Sequence, residues 1–510
     1  MEPRDDDAAK KAGRGGIAIA GAKLYFMVIG LVQQIALKHL LGLSSYGALG
    51  RVQGLASIVY NPVIATNVQG ISRAVSEAPD ASRDVVQRRV LGIHMLIVLP
   101  LAAAFMAVPG VIADAVRAPH LAGGFRIVGL VLLFYGGYTP FVGVINGRKR
   151  FGMQAGLDVT AATLRTFGLL GGAWYLSQRG LGMEGALGGF AVSAMLMAVI
   201  AWPIAGIGRS GAGGPSVKRH LAFVAPLFGG QFALNLLFQS DLQLLGVFAA
   251  DAAVAAGGAA EEADRLAGAY RNAQLFCFLP YQLLLSVTFV LFPLLATARR
   301  DQDDEAVARY VRTGVRLALI VAGAMVSVTA GLSGPLLNLV FGADSAALAS
   351  VAMPIMAVGL GAFALFGILS TVLTSLSRER LSAILTVAAL GLVVILCVAL
   401  VRGQPFGPDL LWRTAVATGV GLFVATLLAA EAVRRTAGAV VAPLSLVRVV
   451  AATALAAGLG HVLPAPGKLL TLGYALVLGV VYLVTLILSR ELGGDDLALV
   501  KRVVGIAPSK

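Results

Sequence analysis

The sequence predicts an all-α polytopic membrane protein of about fourteen transmembrane helices. Three observations carry that expectation. Of 510 residues, 58% are hydrophobic and only 13% charged, and the mean hydropathy is +0.85, a composition foreign to soluble globular chains. Apolar runs of about eighteen residues or more recur along the whole length, as spanning helices require at about 1.5 Å of rise per residue. The 62 glycines and 20 prolines would break soluble helices. In a membrane bundle, small residues let helices approach closely and breaks can face a wet interior.

Taken in order, the spans fall at 17–38, 46–72, 90–110, 122–146, 153–177, 183–206, 220–249, 272–297, 313–333, 349–376, 381–401, 411–431, 447–463 and 469–489. The first opens with "GGIAIAGAKLYFMVIGLVQQIALKHLLG", an apolar run interrupted by Lys23. Ala20-Gly21-Ala22 imitates a signal-peptide cleavage site, but few apolar residues precede it and the run continues, so an uncleaved first helix is expected. The second span carries Arg51 and Asn61, the fifth Asp158 and Arg165, and the seventh a row of amides. The ninth carries Arg316 near its start. Cys277 and Cys397 each stand alone in an apolar segment, which leaves no disulfide framework and no zinc site to build.

With the N-terminus placed inside, most of the 40 basic residues collect in cytoplasmic segments: Arg4, Lys10, Lys11 and Arg14, then Arg73, Arg83, Arg88 and Arg89, then Arg148, Lys149 and Arg150, and onward to Arg490, Lys501, Arg502 and Lys510. Both termini are therefore expected on the cytoplasmic side of the membrane. The same rule, together with anionic lipid head groups, accounts for the net charge of +14 and removes nucleic acid as a partner.

Laid against itself with an offset of about 225–230 residues, the chain pairs Tyr46 with Tyr270 and "NGRKRF" with "LSRERL". This weak repeat suggests a cytoplasmic tail at 1–16, an N-terminal six-helix lobe at 17–207, a glycine-rich linker at 208–219 and a second six-helix lobe at 220–431. Two further helices at 432–489 and a tail at 490–510 complete the expected plan.

Three stretches then carry a family resemblance: "YGALGRVQGLASIVYNPVIATNVQGISRAVSE", "VINGRKRFGMQAGLD", and "AGAYRNAQLF" leading into "VLFPLLATARRD". With them the chain resembles the polysaccharide-transporter branch, the Wzx-like lipid-linked oligosaccharide flippases, of the multidrug/oligosaccharidyl-lipid/polysaccharide (MOP) exporter superfamily. The resemblance is strongest over residues 17–300. It implies a MATE/MOP-like arrangement of two six-helix lobes in a V, a central cavity that alternates sides, and an undecaprenyl-pyrophosphate-linked glycan as cargo. Membrane lipids and polysaccharide polymerase or ligase machinery are the partners it implies.

A charge at the bilayer centre costs on the order of 3 kcal/mol, so each intramembrane charge demands an explanation. Lys23, Arg51 and Arg316 lie near span ends, where snorkelling to head groups is the plain account. Arg165 lies about twelve residues from either end of its span, roughly 18 Å from each interface, beyond snorkelling reach. It must face the protein interior, either in an ion pair with Asp241 or Asp158 or as a cavity cation. With an anionic cargo, Lys23, Arg51 and Arg165 form a candidate pyrophosphate site, and Arg271 is a further candidate from the second lobe. Gln231, Asn235, Gln239 and Gln243 recur every four residues, a polar stripe suited either to interhelical bonds or to sugar hydroxyls. Asp241 is the candidate for coupling to a proton or sodium gradient, with neutralisation of Arg165 as the alternative. No organic cofactor or metal is expected.

Catalysis finds no constellation. His39, His94, His120, His220 and His461 are scattered, and Glu261, Glu262 and Asp264 in the longest outer loop read as a solvated face. Three rival readings stay open at this stage: a lipid II flippase, a cation-coupled multidrug exporter of the same superfamily, and a non-transporting scaffold of a polysaccharide synthase.

Overall fold

The computed structural model describes residues 3–211, 213–464 and 467–493, with side chains from residue 21 onward apart from 286, 289 and 290. Residues 494–510 of the expected tail at 490–510, and the side chains of Arg4, Lys10, Lys11 and Arg14, lie outside the described residues. All described elements are helical. Among them, eleven helices are long and apolar enough to cross a membrane, and the first of these merges two helices across a kink. The chain divides into two compact units, residues 1–268 and 269–510.

The first unit holds α1 (Pro3–Glu77), α2 (Arg83–Ala107), α3 (Pro109–Ala115), α4 (Ala122–Gly147), α5 (Phe151–Ser177), α6 (Gly182–Ala205), α7 (Val217–Ala255) and the first turns of α8 (Glu262–Cys277). The two first spans expected from sequence are thus limbs of one long helix, broken at Gly42, whose φ of 74° and ψ of 174° suit glycine alone. The second limb carries Pro62, and just beyond it Thr66 Oγ1 and Asn67 Nδ2 donate back to the Pro62 and Val63 carbonyls, each at 2.7 Å. Both donors are thereby satisfied in an apolar interior, while Asn67 Oδ1 stays buried without a donor.

Helices α5 and α6 form an antiparallel hairpin held by glycines. Gly168 and Gly172 on α5 meet Gly189 and Gly185 on α6 so closely that a Cβ on Gly189 would lie 1.8 Å from the Gly168 carbonyl oxygen, and one on Gly172 would lie 2.0 Å from that of Gly185. This small-xxx-small spacing on both partners is how membrane helices gain packing energy without a hydrophobic drive. Ser193 Oγ extends the seam by donating to the Leu164 carbonyl at 2.7 Å. Helix α4 lies over α6, and Phe125, Leu132, Leu187 and Phe190 sit in one buried apolar cluster with Leu49 and Val52 of α1.

One end of this unit gathers the turns between α1 and α2, between α4 and α5, and between α6 and α7. Arg148 donates to Asp84 at 2.6 Å and to Gln87 at 2.5 Å, while the fully buried Gln87 amide donates to the Ala205 and Gly206 carbonyls. Three connections are tied into one polar knot.

The second unit holds the rest of α8, α9 (Leu279–Arg300), α10 (Asp304–Gly331), α11 (Ser333–Phe341), α12 (Ala343–Ala349), α13 (Ala352–Ser375), α14 (Glu379–Val401), α15 (Asp409–Ala437), α16 (Pro443–Val462) and α17 (Lys468–Leu488). The expected eighth span is interrupted at Phe278, because Pro280 cannot donate to the preceding turn and starts a new helix instead. Helices α13 and α15 repeat the glycine device, since a Cβ on Gly359 would lie 2.5 Å from Gly419 Cα.

The last two helices pack on α10 through Leu319, Val449, Ala452, Tyr482 and Leu486, and Tyr482 donates to the Ile320 carbonyl at 2.8 Å. Just beyond α17 the buried carboxylate of Glu491 receives Arg316 Nε at 2.7 Å and Arg448 Nη1 at 3.4 Å. Arg316 therefore does not need to snorkel: the chain brings a carboxylate to it.

Candidate functional site

The candidate residues of the first unit fall into two groups with opposite surroundings. At the end opposite the polar knot, Arg51 is completely enclosed. Its Nη1 donates to Asp264 Oδ1 and its Nη2 to the Val116 carbonyl, both at 2.7 Å, and His120 Nε2 lies 2.7 Å from the other oxygen of Asp264. Gly246 leaves room for the guanidinium, for a Cβ there would come within 2.5 Å of Arg51 Nε. The Arg51 carbonyl in turn accepts from Gln243 Nε2 at 3.0 Å.

Asp264 is 3% exposed, which corrects the expectation that it belongs to a solvated face with Glu261 and Glu262. Those two are exposed as expected. The reason is helical phase. Asp264 shares its face of α8 with Ala267 and Gly268, which press against the second limb of α1, where a Cβ on Gly47 would lie 1.8 Å from the Asp264 carbonyl oxygen. A carboxylate in the first turn of a helix is also favoured by the helix dipole. The snorkelling account of Arg51 gives way to an ion pair sealed within the unit.

The amide stripe of α7 lies along α1. Asn61 Nδ2 donates to Asn235 Oδ1 at 2.9 Å, and Asn235 Nδ2 donates to the Gln231 carbonyl at 2.8 Å. Gln239 fills the space left by Gly54, whose Cβ would sit 2.8 Å from Gln239 Oε1. Three members of the stripe thus contact α1, while Gln231, Asn235 and Gln239 all stay half-buried and within reach of a ligand. Asp241, two residues from both Gln239 and Gln243 and so off this face, is buried and accepts from the Leu242 amide at 2.7 Å.

The second group lies where the first limb of α1 crosses α5. Tyr25 and Thr163 hydroxyls meet at 2.8 Å, and Thr166 donates to Gln33 Oε1 at 3.1 Å. Between these ties, Arg165 places its guanidinium 4.6 Å above the Phe26 ring and 6.0 Å from that of Phe190. Neither Asp241 nor Asp158 pairs with it. Arg165 has no ion pair with any described residue, and its Nε is buried without an acceptor. Asp158 instead faces Lys23, whose Nζ lies 3.8 Å from Oδ2, and the Lys23 side chain keeps 65% of its surface exposed. The carboxylate that sequence offered to Arg165 is spent on the lysine one turn and more away, and the arginine is left over an aromatic face.

Arg271 lies on α8 in the second unit, half-buried. Among the described residues no group of three or more histidine, cysteine, aspartate or glutamate side chains could hold a metal ion.

The family model of polysaccharide biosynthesis proteins matches residues 12–298, more than half of the chain. The chain belongs to that family. The lipid II flippase MurJ in an inward closed conformation superposes with a TM-score of 0.74 at 15% identity, covering 93% of this chain and 99% of that one. A multidrug resistance MATE transporter in an inward-facing conformation gives 0.67 at 16% identity, over 83% of this chain and 98% of that one. A MOP superfamily transporter from Pyrococcus furiosus, described by the reverse polarity of its binding pocket, gives 0.59 at 16% identity, over 84% and 96% of the two chains. No curated protein matches the sequence. The fold is the one that these flippase and transporter structures share.

Proposed function

We propose that the protein is an inner-membrane flippase that carries an undecaprenyl-pyrophosphate-linked oligosaccharide from the cytoplasmic to the periplasmic face by alternating access, for surface polysaccharide synthesis. The observation that carries this reading is Arg165. A guanidinium at mid-helix, with no carboxylate partner and an unmet Nε, is a standing demand for an anion. Lys23 is exposed close by and adds a mobile ammonium. The half-buried amides Gln231, Asn235 and Gln239 supply donors and acceptors of the kind that sugar hydroxyls take. Arg271 is kept as a contact from the second unit and Asp241 as the coupling carboxylate for protons or sodium. Arg51 is assigned to the same unit's internal framework, and contact between Arg51 and cargo would require the Asp264 pair to open. Both termini are placed in the cytoplasm, and the polymerase or ligase of the glycan is placed downstream.

A basic mid-membrane site suits an anionic cargo better than the cationic compounds of a drug exporter. The likeness to MurJ keeps a lipid II cargo as the second reading, because pyrophosphate is common to both lipids. Deleting the gene in its native host and quantifying lipid-linked intermediates and surface polymer by mass spectrometry separates them. Accumulated lipid-linked oligosaccharide with lost surface polymer is the expected result. Accumulated lipid II would transfer the assignment to peptidoglycan, and unchanged lipids with new drug sensitivity would overturn it.

A further inference from the structure

At the same end of the first unit as the polar knot lies a pocket that the reading above does not use. It lies between the end of α1, the start of α7 and the Gly214-Pro215 strap, has a volume of about 340 Å³, and is lined by Gly70, Arg73, Glu77, Arg219, His220 and Phe223 among others. That volume falls at the low end of small-ligand sites, which run from about 300 Å³ upward.

Three features give the pocket a chemical preference. His220 is only 4% exposed, and its Nε2 has no hydrogen-bond partner, although the ring edge that bears it lies against Gly70 on the pocket wall. A buried ring nitrogen left unmet in this way forfeits a hydrogen bond that a ligand can supply. Arg219, in the first turn of α7 after the Ser216 cap, is exposed and its guanidinium makes no ion pair with a described residue. Arg73 stands opposite, oriented by the Phe223 ring at 4.3 Å and by Glu77 at 2.7 Å. The strap is held in place by Arg89 Nε, which donates to the Pro215 carbonyl at 2.9 Å. Two guanidinium groups, the edge of the His220 ring and a helix N-terminus border one small space with a single carboxylate, so the local balance is positive.

We propose that this pocket binds a phosphate group, with Arg219 and His220 Nε2 as its direct donors and Arg73 as the third cation. The site is independent of Arg165 and of the cargo assignment. Glu77 tunes it: by holding Arg73, the carboxylate lowers the affinity that three free donors would give.

The test uses the full-length protein, purified in a neutral detergent, titrated with inorganic phosphate and separately with dihexanoyl phosphatidic acid, against chloride at matched ionic strength. Saturable binding is expected, weakened about tenfold or more in Arg219→Gln, as loss of a charge-assisted bond implies. Lys218→Gln removes the same charge from the neighbouring position outside the pocket lining and should bind as the unsubstituted protein does. Glu77→Gln should bind more tightly. His220→Asn should weaken binding as well; Arg219 is exposed, so its variant carries the test if the histidine variant accumulates poorly. Saturation by inorganic phosphate that displaces the lipid identifies a free-phosphate site, whereas saturation by the lipid alone identifies a headgroup site. Absence of saturable binding for both probes, or equal losses in Lys218→Gln and Arg219→Gln, would overturn the proposal.

Discussion

Two regions of the first unit treat the same side chain in opposite ways. Around Arg51 the protein supplies a carboxylate, a main-chain carbonyl and a glycine-sized recess, and it removes all solvent. Around Arg165 it supplies two aromatic rings and no anion. A buried pair such as Arg51–Asp264 is costly to assemble and far costlier to break, because removing one member strands the other. An intramembrane cation without a pair is costly from the outset, and evolution keeps such a group where something transient completes it. The difference teaches that charge inside an apolar bundle has two meanings, a closed internal tie where the fold supplies the partner and an open demand for an anion where it does not.

The sharpest way to break this comparison is Asp264→Ala. It leaves Arg51 buried and uncompensated, with an expected loss of about 3–5 kcal/mol, read as lost accumulation or a lower melting temperature in detergent. The pair of changes Arg51→Met with Asp264→Leu should recover much of that loss, since apolar replacement of both partners avoids the stranded charge. Normal accumulation of Asp264→Ala with abolished export would instead move Arg51 into the transport site.

Next in size is Arg165→Ala. Export should fall about tenfold or more at unchanged protein abundance, with partial activity in Arg165→Lys, because lysine keeps the charge and loses the bidentate fork. Full export by the alanine variant at normal abundance would erase the distinction drawn here.

A third change tests the scaffold that positions Arg165. Gly189→Val places a branched side chain where even a Cβ would overlap the Gly168 carbonyl, and about 1–3 kcal/mol of overpacking should separate α5 from α6, lowering thermal stability. Smaller still is His120→Ala, which removes one of two partners of Asp264 and should cost on the order of 1 kcal/mol. Lys23→Gln loses only an exposed pair, so at most about 1 kcal/mol of stability is at stake, and any larger fall in export at full abundance would reveal cargo contact.

Arg165 was legible because its meaning is local: counting residues to the ends of its own helix is enough to put it near mid-helix, too far from either end for its side chain to reach out. Arg51 was not, since its partner lies 213 residues along the chain, in a loop whose alanines and glycines disguise a packed helix start. The one signal available was phase, for within α8 Asp264 falls on the small-residue face of Ala267 and Gly268 while Glu262 falls off it, and Glu261 precedes the helix. The stripe on α7 was visible as a stripe, but period four cannot say which helix it will meet. Of the 62 glycines, the sequence holds the Gly168-xxx-Gly172 and Gly185-xxx-Gly189 spacings openly. Choosing them over the others requires knowing that α5 and α6 fold back on each other. Helix continuity was the least legible property: α1 runs through what reads as a loop, and Gly42 breaks only one residue of it.

Glu491 has a practical consequence for anyone who handles this protein. Its carboxylate and main-chain oxygen together anchor Arg316 of α10, and Arg448 of α16 leans on the same group. A chain ended at Leu488 would keep every apolar residue of the last helix and still remove the carboxylate that both arginines share. A fluorescent reporter or affinity tag fused directly after α17 would therefore report poor expression caused by its own placement, whereas the same tag joined beyond residue 493 leaves the latch whole.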